Sequence, residues 1–149
     1  MLTAPTLDNL SLTVKDEVLV RASLEDTFDS VIAQMGRLNE TPDGQSFPMT
    51  LESWPGGRWF RDLGGSNGHL WGHVQSIKRP TLLEIYGPLF MSYPVMSNLQ
   101  YRLKEVDDGT LIVFQHLAFG LISDDHRRGV SAGWRPLLER IRTTAETAR

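Results

Sequence analysis

Apolar and polar residues partly alternate from Ser11 to Ala22, with Leu12, Val14, Val18 and Val20 set against Thr13, Lys15, Glu17 and Arg21. A period near two predicts an extended strand. The period then lengthens. Leu24, Phe28, Val31, Ile32 and Met35 fall at i, i+4, i+7, i+8 and i+11, which is one face of a helix. Ser23 can cap its start, Glu25 and Asp26 sit where the dipole favours anions, and Gly36 can end it.

From Phe47 to Phe119 the chain changes to short β-rich runs broken by Gly and Pro, the pattern of an antiparallel meander. Strands are predicted near 48–54, 58–63, 68–78, 81–87, 97–106 and 110–120. Pro55-Gly56-Gly57 joins the first two, and Gly64-Gly65-Ser66-Asn67-Gly68 the next two. Asp107-Asp108-Gly109 is the sharpest hairpin signal. The link from Gly87 to Ser97 differs: Pro88 and Pro94 stiffen it, while Leu89, Phe90, Met91, Tyr93 and Met96 make it apolar for a loop. It is expected to act as a cavity lid, a dimer patch or plain cover.

Ser123 can cap a final helix with Asp124 and Asp125 in its first turn. Val130, Trp134, Leu137, Leu138, Ile141 and Ala145 form its apolar stripe, and Arg135, Glu139, Arg140, Arg142 and Glu146 its wet side. Pro136 lies within it and predicts a kink or an irregular first turn. The order is strand, helix, about six antiparallel strands, long helix. Such a sheet must bury one face, and the last helix is the element long enough to cover it. The fold class is α+β, one domain over 1–149, with 1–10 as a flexible N-terminus.

Composition narrows the function classes. A chain of 149 residues with 40% apolar side chains is that of one globular domain. A net charge of −3 is of the wrong sign to attract nucleic acid. The absence of Cys removes disulfide frameworks, thiolate zinc sites and thiol nucleophiles. No apolar run approaches the ~18 residues of a membrane span. The opening MLTAPTLDNL lacks a basic region followed by an apolar run, so no signal peptide and a cytoplasmic location are expected. His69 and His73 would stand about 13 Å apart on one strand, too far for that pair alone to chelate an ion. Neither a metal nor a cofactor is expected. Gly64 to Gly68 has no Lys and no following helix, so it reads as a hairpin, not a phosphate loop.

Several strings carry a resemblance. Trp54-Pro55-Gly56-Gly57-Arg58-Trp59 is a Gly-Gly hairpin followed by a bulky aromatic. Leu70 to Pro80 (LWGHVQSIKRP) has the form G-x-V-x-x-I-x-x-P. Gly109-Thr110 leads to His116, and Gly133-Trp134 precedes Leu137, Leu138 and Ile141. Together they resemble the birch-pollen-allergen and START-type superfamily (SRPBCC, Bet v 1-like), and within it the bacterial branch similar to the activator of the heat-shock-protein-90 ATPase. The resemblance runs from about Lys15 to Thr144. It implies a helix-grip fold, a curved antiparallel sheet of about seven strands around a long C-terminal helix, with a cavity between them for an apolar or amphipathic molecule. The superfamily includes ligand and lipid carriers, polyketide-cyclase-like enzymes, hydroxylase subunits and co-chaperones.

On that frame the expected ligand wall is Trp59, Trp71, Tyr86, Tyr101, Phe114 and Trp134, with Arg61 or His116 setting orientation. His116 shares parity with Ile112 and Phe114, so it either finds a structural hydrogen bond or moves protons. Arg61 shares parity with Trp59 and either reaches the cavity rim or pairs with Glu84, Glu52 or Asp62. Three functions follow in order of preference: binding a small hydrophobic or aromatic molecule; a cyclase or lyase using His116, Arg61 or Tyr101; and a protein-binding role, with a chaperone as partner and loop 88–96 as the contact. Monomer and homodimer are both open.

Overall fold

A computed structural model describes residues 6–148 of the chain. Seven antiparallel strands form one open, curved sheet: β1 (Ser11–Val20), β2 (Thr50–Leu51), β3 (Arg58–Gly64), β4 (Asn67–Lys78), β5 (Leu82–Gly87), β6 (Val95–Val106) and β7 (Gly109–Gly120). β2 to β7 follow one another as a meander, and β1 joins on the far side of β7, giving the order β1-β7-β6-β5-β4-β3-β2. Three helices complete the fold: α1 (Leu7–Leu10), α2 (Leu24–Met35) and α3 (Asp124–Thr147). The α+β fold with a long C-terminal helix is as the sequence predicts.

Both long helices start where their caps stand. The Ser23 hydroxyl accepts from the Asp26 amide, and the Ser123 hydroxyl from the His126 amide. α3 lays Trp134, Leu137, Leu138 and Ile141 against Leu99, Tyr101, Ile112 and Phe114 of the sheet, all buried. α2 closes one end of this core with Phe28, Val31 and Met35, which are almost wholly buried. It is tied to α3 by the Ser30 hydroxyl, which donates to the Ile141 carbonyl at 2.7 Å, and by Gln34, which donates to the Thr144 hydroxyl at 2.9 Å.

α3 is continuous through Pro136, where the carbonyl left without its usual donor is that of Ala132, an exposed residue that water can serve. Two expected strand bounds are corrected. The strand expected over 48–54 is only Thr50–Leu51, because Pro48 and Pro55 flank it and neither can donate to a ladder. β6 starts at Val95, two residues early, where Val95 pairs with Gly120. Thr6 caps α1 in a capping box with Asn9, and residues 1–5 of the N-terminus expected to be flexible lie outside the described residues.

β4 and β5 approach each other closely at Gly72 and Gly87. A Cβ on Gly72 would stand 2.5 Å from the Tyr86 carbonyl oxygen, and one on Gly87 would stand 2.6 Å from the Gly72 Cα. Two backbones pass here with no room for a side chain on either. Gly72→Ala is therefore expected to destabilise the protein by about 1–3 kcal/mol, read as a lower urea midpoint at unchanged slope. An unchanged midpoint would show that β4 and β5 can part at this point without penalty.

Candidate functional site

A curved sheet encloses more space than one helix fills. The surplus is a cavity of about 280 Å³ between the β3–β4 end of the sheet and α3. Trp59, Trp71 and Phe47 form one wall, and Val130, Gly133, Trp134 and Leu137 of α3 the other. Asn39, Glu40, Thr41 and Pro42, from the segment after α2, close one side together with Arg140. Among the lining residues Pro42, Phe90 and Gly129 are exposed and mark the mouth.

Each wall indole is fixed by its one polar atom. Trp59 donates to the Met35 carbonyl at 2.7 Å, Trp71 to Nδ1 of His69 at 3.0 Å, and Trp134 to Nδ1 of His116 at 2.9 Å. An indole can only donate, so both histidine Nδ1 atoms are unprotonated and the proton sits on Nε2. From there His116 donates to the Ser97 hydroxyl at 2.9 Å and His69 to the Ser92 hydroxyl at 3.2 Å. Trp71 gains its inward aim from a bulge. The ladder steps from Trp59↔Gly72 to Phe60↔Leu70, leaving Trp71 as the extra residue, and its ring meets that of Trp59 edge-on at 5.0 Å.

Trp59, Trp71 and Trp134 thus come together, and the other residues expected in the wall stand elsewhere. Tyr86 is on the outer face of the sheet, 40% exposed and stacked on His73, because Ile85 and Leu83 take the inward positions of β5. Tyr101 and Phe114 are inward but lie in the packed core beyond the cavity, their rings 5.1 Å apart; the Tyr101 hydroxyl donates to the Met35 sulfur at 3.2 Å, and burial pushes its pKa well above the usual range. His116 sits behind Trp134, fully buried, with both nitrogens engaged. Burial lowers its pKa to about 4. It does not line the cavity.

Arg61 makes none of the expected ion pairs. Its guanidinium donates to the Pro48 carbonyl at 2.6 Å and lies 4.3 Å from the Phe47 ring centre, so it braces a wall residue from behind. Glu52 holds Arg58 instead, through two 2.8 Å hydrogen bonds, and Glu84 accepts from Asn98 and Gln100. Loop 88–96 divides its apolar residues. Leu89 and Met91 are fully buried, Phe90 forms part of the mouth, and Tyr93 stacks on His126 and shares a 2.6 Å hydrogen bond with it. Met96, already in β6, faces outward beside its partner Phe119.

Sequence reasoning missed the segment 39–47. It carries no periodicity, and only Phe47 drew notice, as the start of the β-rich region. A local signal existed in Thr41-Pro42-Asp43-Gly44, turn chemistry that the Thr41 and Gln45 backbones close at 2.8 Å. Among the described residues no group of three or more His, Asp or Glu side chains is placed to hold a metal, and no helix is long and apolar enough to cross a membrane.

No family model matches the chain, and no curated protein matches its sequence. Solved structures do match its fold. An uncharacterized protein of Rhizobium leguminosarum superposes with a TM-score of 0.66 at 18% identity, over 91% of this chain and 95% of that one. StfQ, a di-domain aromatase/cyclase (ARO/CYC) of the steffimycin biosynthetic pathway, gives 0.66 at 12% identity over 94% of this chain; the chain spans about half of that protein, 52%. CalU16 of Micromonospora echinospora gives 0.59 at 19% identity, over 89% of this chain and 72% of that one. At such identities the likeness establishes a shared helix-grip-like fold.

The Trp134–His116–Ser97 chain makes stability depend on pH with a definite sign. A folded pKa near 4 against 6.5 means that the unfolded chain binds the proton first. The neutral-state stability is complete above about pH 6.5 and falls as pH drops toward 4, by up to roughly 3 kcal/mol. The stability advantage of the wild type over His116→Gln should therefore shrink across that window in urea unfolding series; an advantage independent of pH would contradict the assignment.

Proposed function

We propose that the protein binds a small aromatic molecule in the cavity between β3–β4 and α3. The observation that carries this reading is the wall: three indoles, each held by a hydrogen bond to its N–H, and the ring of Phe47 face an open space of about 280 Å³. A concave, largely apolar pocket lined by fixed aromatic rings is the form that small-molecule sites take. An apolar cavity of ~150 Å³ can take up benzene, and this one suits a molecule of about two rings. The resemblance to SRPBCC proteins, and the fold shared with an aromatase/cyclase, support the same reading.

Catalysis by His116 or Tyr101 gains no such support, since neither lines the space. A cyclase reading draws on the likeness to StfQ, and in this chain it would have to use Glu40 or Arg140, the ionisable side chains of the lining.

Gly133 offers a clean test. A Cβ there would meet only the Pro42 ring, at 3.9 Å, so the position has room, and replacing a helical glycine favours the helix. Gly133→Leu should fill the cavity, raise or preserve the thermal midpoint, and weaken binding of 2-methylnaphthalene at least about tenfold in calorimetric titration. Unchanged affinity in a folded variant would place the binding elsewhere. Native mass spectrometry of the freshly purified protein, followed by denaturing extraction, would identify a resident ligand.

A further inference from the structure

The cavity is apolar except at one pole. There Arg140 of α3 is the single cation of the lining among the described residues, and it is poorly satisfied. Its Nε lies 3.0 Å from Glu40 Oε2, yet Nε is buried with no aligned hydrogen bond, so the pair is ionic contact alone. Its other tie is a long bond from Nη2 to the Glu40 carbonyl, 3.3 Å. A guanidinium carries five N–H donors in a planar fork suited to a carboxylate. Here that fork is largely unspent at the edge of an aromatic pocket.

The two partners differ in how they are held. Arg140 sits on α3, one residue before the fully buried Ile141, so its backbone cannot move without the core. Glu40 stands on the segment that turns at Thr41–Gly44 and is closed on itself by an isolated bridge between Glu40 and Ser46. Both side chains keep partial solvent contact, 21% and 33%. Ion pairs of this kind contribute little to stability, so exchanging Glu40 for another carboxylate is cheap for the fold.

We infer that Arg140 anchors an oxygen anion, a ring carboxylate in the first instance, on the aromatic molecule that fills the cavity, and that Glu40 is the resident counter-ion which that ligand displaces. The inference rests on the binding function proposed above and adds the chemical class of the ligand: an aryl carboxylate entering with its ring toward Trp59, Trp71 and Trp134 and its charge toward α3. Charge-assisted hydrogen bonds supply the selectivity.

The test uses two naphthalene probes of like size, 2-naphthoate and 2-methylnaphthalene, titrated calorimetrically into the full chain and two variants. Arg140→Met keeps the aliphatic stem and removes the fork. It should weaken 2-naphthoate by roughly tenfold or more while leaving 2-methylnaphthalene within about twofold; the neutral probe doubles as the check that the variant is folded. Glu40→Gln should tighten 2-naphthoate and leave the neutral probe alone. If Arg140→Met affects both probes alike, or leaves 2-naphthoate unaffected, the anchor is overturned while the cavity reading stands. If Gly133→Leu fails to weaken either probe, the cavity reading itself falls, and the anchor with it.

Discussion

The constraint that governs this structure is a geometric mismatch between one curved sheet and one helix. Seven strands bend around α3, and at the β5–β7 side the helix side chains Leu138 and Ile141 meet Leu99, Ile112 and Phe114 at full burial. Toward β3 and β4 the cavity opens between sheet and helix, next to the close pass of Gly72 and Gly87 and the bulge at Trp71. What remains on the concave side is a space that aromatic rings border without filling.

Rings bordering a void have nothing on one side to keep them in place, and here polar atoms do that work. Each wall indole spends its N–H on a fixed acceptor: in α2 for Trp59, in its own strand for Trp71, in β7 for Trp134. A buried histidine that takes no part in the wall is thereby explained. His116 accepts from Trp134 and donates to Ser97, so it joins α3 to β7 and β6 in a fully satisfied chain. Its position among apolar neighbours is a structural solution, and burial there disfavours its charged form.

Much of this was legible in the sequence, for identifiable reasons. Helix faces repeat every 3.6 residues and strands every two, so the stripe of α3, the face of α2 and the Asp107–Gly109 hairpin all declare themselves. The caps at Ser23 and Ser123 do so as well. What was hidden depends on register. Parity alone cannot fix the face of Trp59, one extra residue in β4 decides where Trp71 points, and nothing local in Leu70-Trp71-Gly72 announces it. Tyr86 failed for a related reason, since Leu83 and Ile85 compete for the inward side of β5 and win it by being aliphatic. Glu40, Thr41 and Arg140 were invisible as site residues because their meeting joins positions about a hundred apart in the chain.

The pocket's two sides are built to different standards of permanence. Its floor of indoles is welded into helices and strands, so a change there disturbs the core. The segment 39–47 that completes it is a surface turn, and turns of this sort accept substitution, insertion and deletion with little penalty to the rest of a domain. Rewriting that short stretch alone would therefore reshape the pocket while keeping the scaffold and its floor of indoles as inherited parts.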